Sequence, residues 1–362
     1  RPLGPEQQGW ITSDDLYRAI LDGEPYPIKG MVSFGTNILV SHADTGRGAA
    51  ALQALDFAVH VDMFMTPSAS LADIVLPVNT PFEREGLCTD FKVGADASAF
   101  AQLRPPAVAS LGESRSDVWI AFELARRLGL ANQFWGGDVD ASYREMLAPS
   151  GLDLEDLRQA PAGVRVDRET RYRKYAGGNG EPAPGFATPS RKVEIFSERL
   201  LDAGQAPLPD YVEPAIGPVS RADLAADFPL VLTSAKSLHY CHSQHRGMPS
   251  LRRREPDPTV EMHPEAAAAR SIESGDWVRL ATPEGAVRAR AVLRPTLDPR
   301  VVSATHGWWQ ACDALDLPGY DATSEDGANV NAVIGNRHTD PISGSVAHRS
   351  YLCEITRIAG AA

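Results

Sequence analysis

Cysteine is scarce in this chain. Four thiols, Cys88, Cys241, Cys312 and Cys353, are scattered through 362 residues, and no two stand in a CxxC spacing. That spacing excludes a zinc ribbon, or a cysteine-ligated iron–sulfur cluster, held by this chain alone. A disulfide framework does not suit so long a chain with so few thiols, which read as free or buried. Basic charge is also short. Lys and Arg total 35 against 47 Asp and Glu, a formal net charge of −12. This argues against a nucleic-acid backbone binder, which needs a basic surface. It leaves room for an anionic small molecule on a local patch of opposite sign. No apolar run approaches the ~18 residues of a membrane span, and no segment reads as a signal peptide. GxGxxG, Walker, GxSxG and HExxH sequences are missing, as is any obvious nucleophile–base pair at close spacing.

What is present is enough chain for two or three domains, with an ordinary 43% of hydrophobic residues. The first third alternates strand and helix patterns. Ile28 to Phe34 is an apolar run ending at Gly35-Thr36-Asn37, and Gly48 to Leu55 suits a helix. Phe57 to Val61 is strand-like and stops at Asp62, and Asp73 to Pro77 reads as a short buried strand. Such alternation predicts a parallel α/β sheet, whose strand ends are where ligands bind. Ser116 caps a helix whose apolar face is Val118, Ala121, Phe122, Ala125 and Leu128, stopped by Gly129. From about 131 to 220 the pattern is less regular. Tyr175 to Pro184 reads as a loop, and Pro207 to Pro218 as a linker. The last third looks mostly β. Leu230 to Leu232 is a strand, Trp277 to Ala281 and Val287 to Leu293 form a hairpin, and Tyr351 to Ile358 closes the set. A short helix over His263 to Arg270 lies among them, and a small closed barrel would remove the exposed edges.

Three clusters could carry chemistry. Gly35-Thr36-Asn37 with Asp62, Arg84 and Asp117 would suit a nucleotide. A carboxylate can accept from the N1–H and N2–H₂ edge of a guanine, and an arginine can pair with a phosphate. The rival reading is strand-end loops with solvated charges. Thr233-Ser234-Ala235-Lys236 through His239, His242, Ser243, His245 and Arg246 is a dense donor set for an anionic or heteroaromatic ligand. A zinc site and a loop of satisfied histidines are its rivals. Asn329-Val330-Asn331 with His348-Arg349 offers amide edges and an anion partner, or only turns. Trp308-Trp309 reads as core. On these residues alone the chain is a binder of an anionic, ring-bearing ligand.

At these positions the sequence resembles the dimethyl sulfoxide reductase family, the molybdenum or tungsten bis(molybdopterin guanine dinucleotide) oxidoreductases. The resemblance rests on Val61 to Thr66, Ala72 to Pro77, Glu83-Arg84-Glu85-Gly86 and Pro189 to Ile195. It continues through Leu232-Thr233-Ser234, His242-Ser243, Ile272 to Val278, His306 to Trp309, Asn329 to Asn331 and Asp340 to Gly344, in family order. It implies an α/β guanine-dinucleotide-binding domain over 1–130, a remainder of the α/β region and linker over 131–218, and a C-terminal double-psi β-barrel over 219–362 that binds the molybdopterin dinucleotide. Asn37, Asp62, Arg84 and Asp117 match positions that contact guanosine and diphosphate. Thr233, Ser234, Lys236, His242 and Ser243 match the first pterin-binding loop of the barrel, where the family commonly has Thr-Gly-Arg and this chain has Thr233-Ser234-Ala235-Lys236. Asn331 and Arg349 match later pterin or guanosine contacts.

Further expectations come with the resemblance. The chain starts at Arg1 and lacks the family's cysteine-rich segment, which carries an iron–sulfur cluster, and the half that supplies the metal ligand. It therefore reads as roughly the second half of a longer catalytic subunit. Its partners would be the N-terminal half of the same polypeptide and an electron-transfer subunit, with no nucleic acid and no direct membrane insertion. The chain alone would fold but hold cofactor weakly or not at all. The whole enzyme would perform two-electron chemistry on a small substrate of the formate, sulfur, nitrate, arsenic-oxyanion or sulfoxide classes. The alternatives are a non-redox hydratase or transhydroxylase of the same family, a standalone nucleotide-binding protein, and an unrelated zinc hydrolase.

Overall fold

The alternation of strand and helix in the first third builds a small sheet with helices packed on it. In the computed structural model, which describes residues 11–89, 98–166, 172–177 and 183–360, β1 (Gly30–Phe34) and β2 (Phe57–Asp62) run parallel, with Gly30 opposite Phe57 and Phe34 opposite Val61. The third strand, β3 (Ile74–Pro77), completes the order β1-β2-β3. Helix α1 (Ser13–Leu21) is capped by Thr12, whose hydroxyl accepts from the Asp15 N–H. A short helix α2 (Ile38–Ser41) follows β1, and α3 (Thr45–Gln53) starts from Asp44. Tyr17, Ile38, Leu39, Ala51 and Leu52 form the core of this part.

Contacts divide the chain into two compact units, residues 1–75 with 209–362, and residues 76–208. This division cuts across the 1–130, 131–218 and 219–362 stretches expected from the sequence. The second unit contains an antiparallel sheet of β4 (Gly86–Cys88), β5 (Phe100–Arg104) and β6 (Val164–Arg165). Its helices include α4 (Asp117–Arg127), α5 (Val139–Leu147) and α6 (Leu154–Gln159), and its core gathers Ala101, Leu103, Leu147, Leu154 and Leu157. Helix α4 starts where expected, with the Ser116 hydroxyl accepting from the Trp119 N–H at 3.1 Å. Its buried residues are Ile120, Phe122 and Ala125, whereas Val118 and Leu128 are exposed. The buried face is thus rotated from the expected one: Phe122 meets Phe134 edge-on and stacks on Trp135, and Ile120 turns inward in place of Val118. In the expected loop from Tyr175 to Pro184, residues 178–182 lie outside the described set.

The last third forms a closed six-stranded barrel. Its strands are β7 (Leu230–Ala235), β8 (Thr259–Met262), β9 (Trp277–Thr282), β10 (Gly285–Leu293), β11 (Val301–Thr305) and β12 (Tyr351–Arg357). They join in the order β10-β8-β11-β7-β12-β9, so no strand of the barrel is left with a free edge. β7 with β11 and β8 with β10 are parallel; the other pairings are antiparallel. The β9–β10 hairpin is the one expected, and Val287, Ala289 and Ala291 alternate into the core with Leu232, Val260, Met262, Leu280 and Ile355. The N-terminal part of this unit is tied to the barrel. Asn329 and Asn331 donate side-chain amides to the carbonyls of Leu39 and Val40, each at 2.7 Å, and the Asp44 N–H donates to the Ile334 carbonyl. All four cysteines are free thiols. Among the described residues, no helix is long and apolar enough to cross a membrane.

Candidate functional site

The ends of β7 and β11 open onto a cleft of about 660 Å³. Its wall is made by Ser234 near the end of β7 and Lys236 just after it, His242 and Ser243 in the next loop, His306 after β11, Asn331, and the segment from Ser345 to Ser350 with His348 and Arg349. Ser41 at the end of α2 adds a hydroxyl, and Val40, Val330 and Ile334 supply apolar surface. No Asp or Glu lines the cleft, and among the described residues neither Lys236 nor Arg349 has an ion-pair partner.

Two buried arginines shape the wall from behind. Arg246, 1% exposed, donates to the carbonyls of His242, Gln244 and His306. Its guanidinium lies 4.4 Å from the Tyr240 ring centroid and 5.2 Å from that of Trp308. Arg252, 0% exposed, donates to the carbonyls of Pro256, Gln310, Arg246 and Pro318 at 2.7, 2.8, 3.3 and 2.9 Å. Neutral carbonyls take most of their hydrogen bonds without cancelling their charge, although Arg246 Nε has no partner among the described residues and the Glu255 carboxylate acts on Arg246 from nearby. The loops are also pressed together: Gly307 has φ +86°, and a Cβ there would run into the His242 carbonyl. Trp308 is fully buried, as its reading as core anticipated, and Trp309 donates its indole N–H to the Ser243 carbonyl at 2.7 Å.

The local field follows from this wall. Burial, then the nearby charges of Arg246, His242, Lys236 and His348, push the His306 imidazole down to about 4. Burial and His348 lower His42 in the same direction. Burial pushes Arg246 down to about 10. The cleft therefore presents hydroxyls, an ammonium, a guanidinium and neutral imidazole at neutral pH. This is a donor-rich, net positive site with the volume of a ligand pocket, and it fits an anionic, ring-bearing ligand such as a pterin dinucleotide.

Of the residues singled out in the sequence, Ser234, Lys236, His242, Ser243, Asn331 and Arg349 converge on this cleft. Thr233 sits one residue earlier on β7, opposite Ser303 of β11. Asn37 is buried at the start of α2, where its Oδ1 accepts from the Ser68 hydroxyl and its Nδ2 has no partner among the described residues. Asp62, at the end of β2, accepts from the Phe64 N–H and from His60. Burial opposes its ionisation, but these two donors outweigh it and the carboxyl stays below its ordinary range. Arg84 and Asp117 belong to the second unit and pair with each other at 2.7 and 3.2 Å. The amide of Asn331, expected as an edge for reading a ring, is instead committed to the Val40 carbonyl. His239, His242 and His245 do not assemble as a zinc set: among the described residues no group of three or more His, Cys, Asp or Glu could hold a metal. Arg252, in the run Arg252-Arg253-Arg254, and Ser41 carried no signal in the sequence; His306 was visible only as the neighbour of the tryptophan pair.

Comparison with known proteins gives the family. Residues 230–352 match the model of the molybdopterin dinucleotide binding domain, and residues 18–127 match that of the molybdopterin oxidoreductase domain. Acetylene hydratase of Syntrophotalea acetylenica is 30% identical over 81% of this chain and 39% of its own length. Dopamine dehydroxylase of Eggerthella lenta is 28% identical over 98% of this chain and 40% of its own. Dimethyl sulfoxide reductase DmsA of Escherichia coli is 27% identical over 89% of this chain and 41% of its own. The solved structure of acetylene hydratase from Pelobacter acetylenicus superposes with a TM-score of 0.80 at 27% identity, covering 95% of this chain and 46% of that one. The chain thus spans about two-fifths of the length of the curated relatives it matches. It belongs to the molybdopterin oxidoreductase family, as a partial-length member whose barrel is a molybdopterin dinucleotide-binding domain.

Proposed function

We propose that this chain is the cofactor-holding part of a molybdenum or tungsten enzyme, and that its cleft takes the pterin and diphosphate of a bis(molybdopterin guanine dinucleotide). The observation that carries this reading is a cationic cleft without carboxylates, walled by Lys236 and Arg349 and backed by the carbonyl-held Arg246. In this reading Lys236 and Arg349 meet the anionic groups, and Thr233, Ser234, His242 and Ser243 position the ring, with Asn331 offering only its Oδ1 because Val40 holds its Nδ2. Asn37, Asp62, Arg84 and Asp117 serve guanosine and diphosphate. When bound, the cofactor supplies the metal centre for two-electron chemistry on a small substrate. The protein's part is to orient it, keep water from it, and hold His306 neutral at physiological pH so that it can accept a hydrogen bond.

The barrel in this reading is of the double-psi type, a topology its two parallel pairings, β7 with β11 and β8 with β10, are consistent with. The rest of a longer polypeptide supplies the metal ligand and an iron–sulfur cluster, an electron-transfer subunit is its partner, and the 362-residue chain alone retains little cofactor. A non-redox hydration is the second reading, favoured by the relatedness to acetylene hydratase. The deciding experiment is to mature the full-length gene product anaerobically and measure metal, iron and released GMP per chain. About one Mo or W with about two GMP supports the cofactor reading, as expected for a site built around a resident group. A folded, matured protein without metal or GMP refutes it. Substrate-dependent reduction of a dye then separates redox turnover from hydration.

A further inference from the structure

A buried chain of three side chains runs through the first sheet. The Ser33 hydroxyl on β1 lies 2.7 Å from His60 Nδ1 on β2, and His60 Nε2 lies 3.4 Å from Asp62 Oδ2. The parallel register sets Ser33 opposite His60, so the backbone itself makes the first contact. His60 is 2% exposed, and the Asp62 side chain keeps 11% of its surface open. The Ser33 hydroxyl is also 3.4 Å from the Val59 carbonyl. It can therefore donate to a neutral Nδ1, or accept from a protonated Nδ1 while turning its own proton to Val59. The first arrangement puts the single proton of a neutral ring on Nε2, which donates it to Asp62; in the second, Nε2 donates only from a doubly protonated ring.

Asp62 is thereby fixed as an ionised, acceptor-only group. The Phe64 N–H engages Oδ1 at 3.1 Å, His60 engages Oδ2 and the Met63 N–H also acts on the carboxylate, which with four lone-pair sites still has acceptor capacity to offer. Two acceptors side by side match a ligand edge with two adjacent donors. The 2-amino-4-oxopyrimidine edge has that pattern, and it occurs in guanine and in a pterin ring alike. Resting on the cofactor reading above, we propose that His60, set by Ser33, is a specificity-determining positioning residue that presents Asp62 to a 2-amino-4-oxopyrimidine edge.

The test uses the full-length protein stripped of cofactor, titrated calorimetrically with GDP, with 6-hydroxymethylpterin, and with ADP, which lacks the edge. His60→Leu is expected to weaken the bound edge about tenfold and to leave ADP unchanged, the loss expected for a charge-assisted hydrogen bond. His60→Gln, which retains a donor, is expected to recover most of that loss, a rescue that a purely structural role does not produce. A loss confined to GDP assigns the edge to guanine; a loss confined to the pterin probe assigns it to the pterin. Asp62→Asn replaces one acceptor with a donor and should turn preference from GDP towards xanthosine diphosphate if guanine is read. Ser33→Ala is the milder variant should His60→Leu not fold, with an expected loss of about threefold for one weakened neutral hydrogen bond. Unchanged GDP and pterin binding in a folded His60→Leu, or in Ser33→Ala where only that variant folds, overturns the positioning role and leaves the cofactor reading standing. Wild-type protein that binds neither probe, and whose matured form releases no GMP, overturns both.

Discussion

Arg252 in the barrel unit and Arg158 in the second unit each hold several hydrogen bonds, but to different partners. Arg252 is fully buried and donates only to main-chain carbonyls, those of Pro256, Arg246, Gln310 and Pro318. Arg158 is partly exposed and meets Glu85, Asp140 and Glu155. The first arrangement satisfies every donor direction it uses and leaves the positive charge in the local field; the second cancels it. The contrast extends to neighbours. Around the cleft, Arg246 is also held by carbonyls, and Lys236 and Arg349 have no acid partner among the described residues. In the second unit, Arg84 is closed on Asp117, and Arg126 and Arg127 on Glu123. How a cation is satisfied, more than how many cations there are, marks the cleft wall as a place that can receive an anion; elsewhere in the same unit Arg270 is closed on Glu354 and Arg290 on Asp257. A chain of net charge −12 can thus hold a positive site.

The largest effect expected from breaking this contrast is at Arg252. Arg252→Met leaves four interior carbonyls without their donor, and should cost about 3–5 kcal/mol in urea unfolding. Stability close to wild type would mean that water takes over those carbonyls. Gly307→Ala should follow at about 3 kcal/mol, from left-handed backbone strain plus the encounter with the His242 carbonyl. Gly275→Ala is its control. Gly275 also has positive φ but open space around it, and should lose only about 1–2 kcal/mol. Equal losses at the two glycines would show that the loops of the cleft are not held against each other there.

Much of this was legible beforehand. The hairpin, the Ser116 cap and six residues of the cleft follow from alternation, capping chemistry and the donors gathered in three short segments. What was not legible depends on long-range packing. Val118 and Leu128 fit the helical period as well as Ile120 does, and packing outside the helix, with Phe122 edge-on to Phe134 and stacked on Trp135, accompanies the side that turns inward. Arg252 stands in a run of three arginines, which in a sequence reads as a solvated surface. Its burial depends on carbonyls 58 and 66 residues away. Asn331 reads as a ligand edge until the Val40 carbonyl, 291 residues distant, is found to take its amide.

His306 offers a smaller test of the same field. Its imidazole is held down to about 4 from an ordinary 6.5, by burial and by Arg246. A histidine kept neutral in the folded state stabilises it above the unfolded value. That contribution is lost as pH falls from about 6.5 to about 4, because the unfolded chain takes up the proton first. After allowance for solvent screening the loss should be about 1–2 kcal/mol. It should appear as a decline in unfolding free energy across that window, and His306→Asn should flatten it. If His306→Asn leaves the slope intact, the decline belongs to other groups, and the positive field at the cleft wall is weaker than its architecture implies.

The smallest effect should come from Arg158, although it has the more strongly charged partners. Hydrogen bonds from Arg158 to Glu85 and Asp140 raise its pKa and hold the guanidinium charged. Yet Arg158→Ala should cost only about 0.5–1 kcal/mol, because water solvates the carboxylates it leaves behind. Part of that cost should vanish in ~0.5 M salt, which screens exposed pairs and spares buried ones. The Arg252→Met loss should survive the same salt, since carbonyl dipoles and burial, not ion pairing, set its size. If Arg158→Ala proves as damaging as Arg252→Met and as insensitive to salt, the contrast between the two units reduces to depth of burial. The carboxylate-free wall would then lose its standing as the mark of the anion site.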